Sequence, residues 1–305
     1  MPPAAPPGVH ARVGFSPRAS LLLGLVLVGV FVLCAATAPL LSRWIGFDPL
    51  VQATDRWTTP PTPPDRAHPL GTDALGRDLL SRLVHGARVS LLVGVAAEII
   101  AIIIGILIGG CAGYTGGRVD AWLMRATDLV YAFPAPLLAL AAIAAIPNPE
   151  AVPLLRHLPE PSLGVVFVVL GGIGWVGIAR LVRGEFLRIR EQEFARAAQA
   201  IGAGGARVII RHLLPNAAGP IVVAGTLGVG GNILMEAWLS FLGIGARPPV
   251  PSWGSMITEG QAFILSKPWV CVFPGLAVLG VVLGFNLLGD GLNAWLDPRR
   301  RHAAT

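Results

Sequence analysis

Charge is what this chain has least of. Asp, Glu, Lys and Arg make up 13% of its 305 residues, against about a quarter in soluble domains, which excludes a wholly water-facing surface. Lysine is nearly missing: of 23 cationic side chains all but Lys267 are arginine. A P-loop needs Gly-Lys-Ser/Thr to hold phosphate, and Lys267 sits in Ser266-Lys267-Pro268, so the chain cannot bind ATP through that motif. Cys34, Cys111 and Cys271 lie far apart inside apolar stretches. Without CxxC or Cys/His spacing they read as small buried hydrophobes and exclude a disulfide framework or a zinc site. No HExxH, GxSxG or paired catalytic carboxylates are found, which argues against a membrane enzyme. Nor are aromatic and basic residues interleaved as single-stranded nucleic acids require, so no nucleic-acid partner is expected.

What the sequence has is apolar length. Hydrophobic residues make up 54% of it, and six stretches reach the ~20 residues that cross ~30 Å of hydrocarbon. They run from Ala19 to Leu41, Ser90 to Tyr114, Ala121 to Ile146, Leu163 to Leu181, Pro220 to Ile244 and Trp269 to Leu288. The fold class is therefore an all-α integral membrane protein with six transmembrane helices. The first stretch is too long for a signal-peptide h-region, and Pro39 would directly follow a cut after Ala36-Thr37-Ala38. Bulky Leu33 before Cys34 argues against a lipoprotein anchor.

The chain divides into a flexible tail (1–18), the first span (19–41), a polar loop (42–87) with a Pro-rich patch from Pro60 to Pro64, a five-helix core (88–292), and a second tail (293–305). Cytoplasmic loops are enriched in Arg and Lys. With the amino terminus inside, the inner segments hold Arg12, Arg18, Arg118, Arg125, seven arginines from Arg180 to Arg211, and Arg299 to Arg301. The short outer loops hold only Arg156, Arg247 and Lys267. The expectation is both termini and the 182–219 segment in the cytoplasm, with 42–87 and 245–268 outside. Five arginines in 42–87 depart from the bias, which long loops obey less strictly.

The 182–219 segment contains EFARAAQAIGAGGARVIIRHLLPN from Glu193 to Asn216. Phe194, Ala197, Ala198 and Ile201 fall at i, i+3, i+4 and i+7, the spacing of one helix face. Arg196 and Gln199 occupy the other face, and Gly202 is placed to stop the helix in a left-handed C′ conformation. A second amphipathic stretch, Arg207 to Leu214, is expected to end at Pro215. A short helix with small residues on its apolar face fits a groove on another protein. An amphipathic helix resting on the membrane surface has the same pattern.

Ala197-Ala198, Gly202 and Leu214-Pro215 match the spacing of the signature cytoplasmic loop of ABC importer permeases, with Arg196 where that motif usually opens on an acidic residue. His68-Pro-Leu-Gly-Thr-Asp-Ala-Leu-Gly-Arg-Asp-Leu-Leu-Ser-Arg82 and Leu239-Ser-Phe-Leu-Gly-Ile-Gly245, followed by Pro251-Ser-Trp-Gly254, resemble the dipeptide, oligopeptide and nickel branch. The resemblance covers about residues 20–297. It implies a type I ABC importer permease (MetI-like) bundle forming half a translocation pathway for di- or oligopeptides. Implied partners are a homologous second permease, two ATP-binding subunits that carry ATP and Mg, and an extracytoplasmic substrate-binding protein; this chain itself would carry no cofactor. In that reading Glu193, Phe194, Arg196, Ala197, Ala198, Ile201, Gly202, Leu214, Pro215 and Asn216 form the ATPase-coupling loop. Nickel chelates or another small solute are alternative substrates. An ion-gradient-driven transporter is the alternative of a different class, but neither inverted repeats nor broken mid-membrane helices are evident.

Ionisable groups in hydrocarbon cost at least ~2.5 kcal/mol and normally face a partner or a cavity. Glu98, Asn232, Glu236 and Asn286 are therefore candidates for the translocation pathway, with helix packing as the alternative for Asn232, Glu236 and Asn286. Asp128 is expected to pair with Arg125 one turn earlier. Gly105 and Gly109, spaced as GxxxG, and the glycines from Gly225 to Gly231 predict close helix contacts.

Overall fold

A computed structural model describes residues 16–45, 49–50, 60–146, 148–153, 155–157, 160–245 and 249–296. Most of the two predicted tails, with Arg12 and Arg299 to Arg301, lies outside the described residues, as does Arg247 of the predicted outer loop. Among the described residues, five helices are long and apolar enough to cross a membrane: α1 (Pro17–Ile45), α2 (Leu79–Thr115), α5 (Pro161–Arg190), α8 (Leu214–Phe241, continuous with residues from Gly205) and α10 (Trp269–Leu296). Several outrun the apolar stretches that mark them. At ~1.5 Å per residue, the 30 residues of α5 exceed the hydrocarbon core, and the excess carries Arg183, Arg188 and Arg190. α2 likewise begins at Leu79 rather than Ser90, because Asp78 caps it by accepting a hydrogen bond from the Ser81 amide at 2.7 Å.

The third span is not one helix. α3 (Gly117–Tyr131) and α4 (Ala135–Ala144) are bent by 83° at the break between them. Pro134 lacks the amide proton an uninterrupted helix would use and disfavours helical geometry at Phe133. Pro136 sits in the first turn of the new helix, where a missing donor costs nothing. The sequence reading of Ala121 to Ile146 as a single helix passed over both prolines.

Helices pack through glycine. Along α2, Gly105, Gly109 and Gly113 stand one turn apart, and a Cβ on any of them would strike Ile178, Ala179 or Arg183 and Phe186 of α5. On α5, Gly171 returns the contact against Ala97 and Ile100. With the hydrophobic effect weak inside lipid, such close approach is what holds the pair together. α1 lies along α10 and turns Leu22, Leu25, Val26 and Leu33 outward.

Candidate functional site

α6 (Glu193–Ala200) follows α5 after a two-residue link, and α7 (Gly205–Val208) opens the return. Gly202 takes φ +85°. The Ala203 amide donates to the Ala198 carbonyl and the Gly202 amide to that of Gln199, both at 3.0 Å, which is the paired pattern of a Schellman stop. The reversal is fixed to the bundle from two sides. Arg190 Nη1 donates to the Gly113 and Tyr114 carbonyls at 3.0 and 3.3 Å, satisfying the end of α2, and Gly205 lies against the Tyr114 ring.

The predicted apolar face of α6 divides in two. At ~100° per residue its apolar arc is wide enough for one edge to face inward and the other outward. Ala195 and Ala198 are buried, Ala195 in a cluster with Phe186, Ile189, Val208 and Leu213. Phe194, Ala197 and Ile201 are exposed, Ile201 to 86%. Ala198 therefore leaves the predicted outward face because this chain's own packing covers it. Arg196 and Glu193 are also exposed, and Arg196 forms an ion pair with Glu191.

Pro215 does not end the second stretch. Residues Ile209–Leu213 form a wide π turn that runs directly into α8, with Leu214, Pro215 and Asn216 in its first turn. The wider turn relieves the clash that a proline ring makes with the preceding turn, and Asn216 Nδ2 donates to the His212 carbonyl at 2.7 Å.

Between α2, α4, α5 and α8 lies a cavity of about 600 Å³. Ala135 and Ala139 line one wall, Gly174 and Gly177 another, and Gly228 and Gly231 a third. Glu98 and Asn232 both reach it, Asn232 Nδ2 donating to Glu98 Oε2 at 2.9 Å. A Cβ on Gly228 would overlap the Glu98 carboxylate.

A family model described as a binding-protein-dependent transport system inner membrane component matches residues 101–302. The chain belongs to that family. It is 39% identical over 282 residues to a dipeptide transport system permease protein, DppC, of Alkalihalophilus pseudofirmus, covering 92% of this chain and 86% of that one. It is 34% identical over 291 residues to the oligopeptide transport system permease protein OppC of Bacillus subtilis, covering 95% and 89%. It is also 39% identical to the glutathione transport system permease protein GsiD of Pectobacterium atrosepticum, over 77% and 74%. A solved amino acid ABC transporter, crystallised with histidines, superposes with a TM-score of 0.52 at 13% identity over 70% of this chain and 94% of its own. That likeness concerns the fold. The protein is thus a multi-pass ABC importer permease, and the sequence resemblance identified the right family.

Two permease motifs meet at the end of the bundle opposite α6. In the first, Gly71 and Gly76 take positive φ, folding the chain so that Asp73, Arg77 and Arg82 face α9 (Trp253–Gly260). Arg77 donates to Asp73 at 2.7 Å and to Glu259 at 2.8 Å, and Arg82 bonds both carboxylates. Burial pushes the Asp73 carboxyl up, but the Arg82 charge and the bonds from Arg77 outweigh it and hold it below the usual carboxylate range. In the second motif, Ser252 caps α9 reciprocally with Ser255. Buried Trp253 donates its indole proton to the Leu83 carbonyl at 2.9 Å. Reading the sequence missed this cluster, although its alternating Asp and Arg residues lay inside the quoted motif.

Of the four pathway candidates, only Glu98 and Asn232 share the cavity. Glu236 is wholly buried, accepting from Ser240 Oγ at 2.7 Å and Ser90 Oγ at 3.3 Å, so it joins α2 to α8 and faces no vestibule. Asn286 is exposed on α10, away from the cavity lining. Asp128 pairs with Arg180 of α5 at 2.6 Å rather than with Arg125, which lies over the Trp122 ring at 5.6 Å. A solvated i, i+3 pair is worth only a few tenths of a kcal/mol, so the packing of α3 against α5 readily displaces it.

Proposed function

We propose that this chain forms half the translocation pathway of an ATP-driven importer of di- or oligopeptides and is driven through α6 by an ATP-binding subunit. The observation that carries the coupling role is the outward stripe of Phe194, Ala197 and Ile201, held by a Schellman stop at the arginine-rich end of the bundle. Solvent-facing apolar side chains on a short, rigidly held helix are the anchors of helix-in-groove recognition. Peptide as the solute is supported by near full-length likeness to dipeptide and oligopeptide permeases. A homologous permease, two ATP-binding subunits holding ATP and Mg, and an external binding protein complete the assembly.

In this reading the α6 end is cytoplasmic, as its seven arginines from Arg180 to Arg211 favour, and the Asp73–Arg82–Glu259 end meets the binding protein. Single cysteines at Thr62 and Gly204, with Cys34, Cys111 and Cys271 replaced, test the orientation. An impermeant thiol reagent should label position 62 and spare 204 in intact cells; the reverse pattern overturns it. Function is tested in proteoliposomes holding the whole assembly. Uptake of trialanine should require ATP and the binding protein and stop with vanadate. Uptake that survives vanadate but collapses with an ionophore would identify a gradient-driven carrier instead.

A further inference from the structure

We propose that the central cavity binds the cationic end of the solute in transit, with the Glu98 carboxylate receiving the ammonium group of a peptide's amino terminus. The inference rests on the peptide reading above and adds a recognition site inside the membrane. The lining consists of apolar side chains, bare glycine backbone and two polar residues, Glu98 and Asn232. No Arg, Lys or His lines it among the described residues. A carboxylate in such a place is costly unless a cation reaches it, and Asn232 supplies only a neutral donor, to Oε2. Among the described residues nothing donates to Oε1, so half the carboxylate's hydrogen-bonding capacity is left for a ligand.

The surroundings hold Glu98 in that position. Gly228 leaves the space its carboxylate fills, and a Cβ there would overlap it. Gly174, Gly177 and Gly231 replace side chains with backbone along the wall, which widens the cavity to about 600 Å³, within the range of small-ligand sites. Glu236 provides the contrast. Ser90 and Ser240 donate to its two oxygens in a fully enclosed site, so the second membrane carboxylate is committed to packing and unavailable to a solute.

Glu98→Gln separates charge from packing, because Gln keeps the size of the side chain and an oxygen to accept the Asn232 bond. A structural role predicts uptake unchanged. The proposal predicts that the assembled Glu98→Gln transporter copurifies normally with its partners but takes up trialanine at least about tenfold more slowly, the scale of focused electrostatic effects in a low-dielectric cleft.

A second measurement depends neither on uptake nor on that variant. Gly231→Cys, at a cavity position where an added Cβ meets nothing within 4 Å, is placed in the assembled transporter with Cys34, Cys111 and Cys271 replaced. Trimethylammonioethyl methanethiosulfonate should react with it about tenfold faster, relative to their rates with a free thiol, than the sulfonatoethyl reagent. Glu98→Gln should abolish that preference. Equal normalised rates with Glu98 present, or wild-type trialanine uptake by Glu98→Gln, would overturn the assignment. Failure of the wild-type assembly to carry any peptide would instead sink the peptide reading, and the thiol rates would still decide whether the cavity selects cations.

Discussion

Replacing Ile201 by Asp should uncouple the permease from its ATP-binding subunit without unfolding it. Ile201 is 86% exposed, so the fold should tolerate the change to within about 0.5 kcal/mol. In a docked complex the same side chain would fill a groove, and burying an isoleucine is worth about 1.5–3 kcal/mol. Asp forfeits that contact and adds a charge to be desolvated, which costs at least as much again when unpaired. A combined loss of ~3 kcal/mol or more weakens binding over a hundredfold at ~1.4 kcal/mol per decade. Titrating the ATP-binding subunit against immobilised permease in detergent measures this, and the permease's own melting curve serves as the folding control. Binding within threefold of wild type, with normal uptake, would refute α6 as the docking element. Ala198→Glu is a poorer probe. Ala198 is only 6% exposed, so a glutamate there disturbs the permease before any partner is met.

Gly202→Val should insert in the membrane yet lose transport, because φ +85° costs an L-residue about 1–2 kcal/mol, more when β-branched; full uptake would show that the stop is dispensable. Gly109→Val should abolish the folded, monodisperse species in detergent, since even its Cβ would meet Ala179 backbone atoms of α5, whereas Gly184→Ala, with nothing within 4 Å, should melt like wild type. Arg82→Met should lower stability by about 3 kcal/mol, the low end for breaking a buried pair, because Arg77 still bonds Asp73 and Glu259. The pH dependence has a definite sign. Asp73 has a depressed carboxyl pKa, so its stabilisation is full above the usual value of 3.8 and is lost as pH falls through the lower folded value. Melting curves at acidic pH should show a smaller such loss in Arg82→Met, where that depression is relieved.

The spans were legible because lipid demands a long apolar run and little else can supply one. The break at Pro134 was equally present in the letters, but hydropathy sums over Phe133-Pro134-Ala135-Pro136 without registering backbone geometry. GxxxG marked Gly105 and Gly109; Gly113 repeats that spacing one turn further along the same apolar stretch and extends the same ridge, a continuation the sequence reading passed over. The polar cluster at the other end was hidden for another reason. Arg77 and Arg82 stand 182 and 177 residues from Glu259, so no local spacing announces the pairing.

Periodicity identified α6 as amphipathic but could not say which edge of its apolar arc the rest of the chain would cover. The cluster of Phe186, Ile189, Val208 and Leu213 covers Ala195, Ala198 is buried as well, and Phe194, Ala197 and Ile201 are left outward. On the coupling role proposed above, the return of the chain through Val208 links the α6 surface to the cavity. The segment from Gly205 is helical through Phe241, carrying Val208 under α6 at one end and Gly228, Gly231 and Asn232 at the cavity further along. A helix transmits displacement along its axis, and the π turn at Ile209–Leu213 lets it pass Pro215 without a full break. From Val208, packed beneath α6, an unbroken helix runs to Asn232. Asn232 holds one oxygen of Glu98 on α2, while α2 itself is locked to α5 along the glycine seam. On that proposed coupling role, movement of α8 against that pair would change the geometry of the carboxylate and so tie access to the cavity to events at α6.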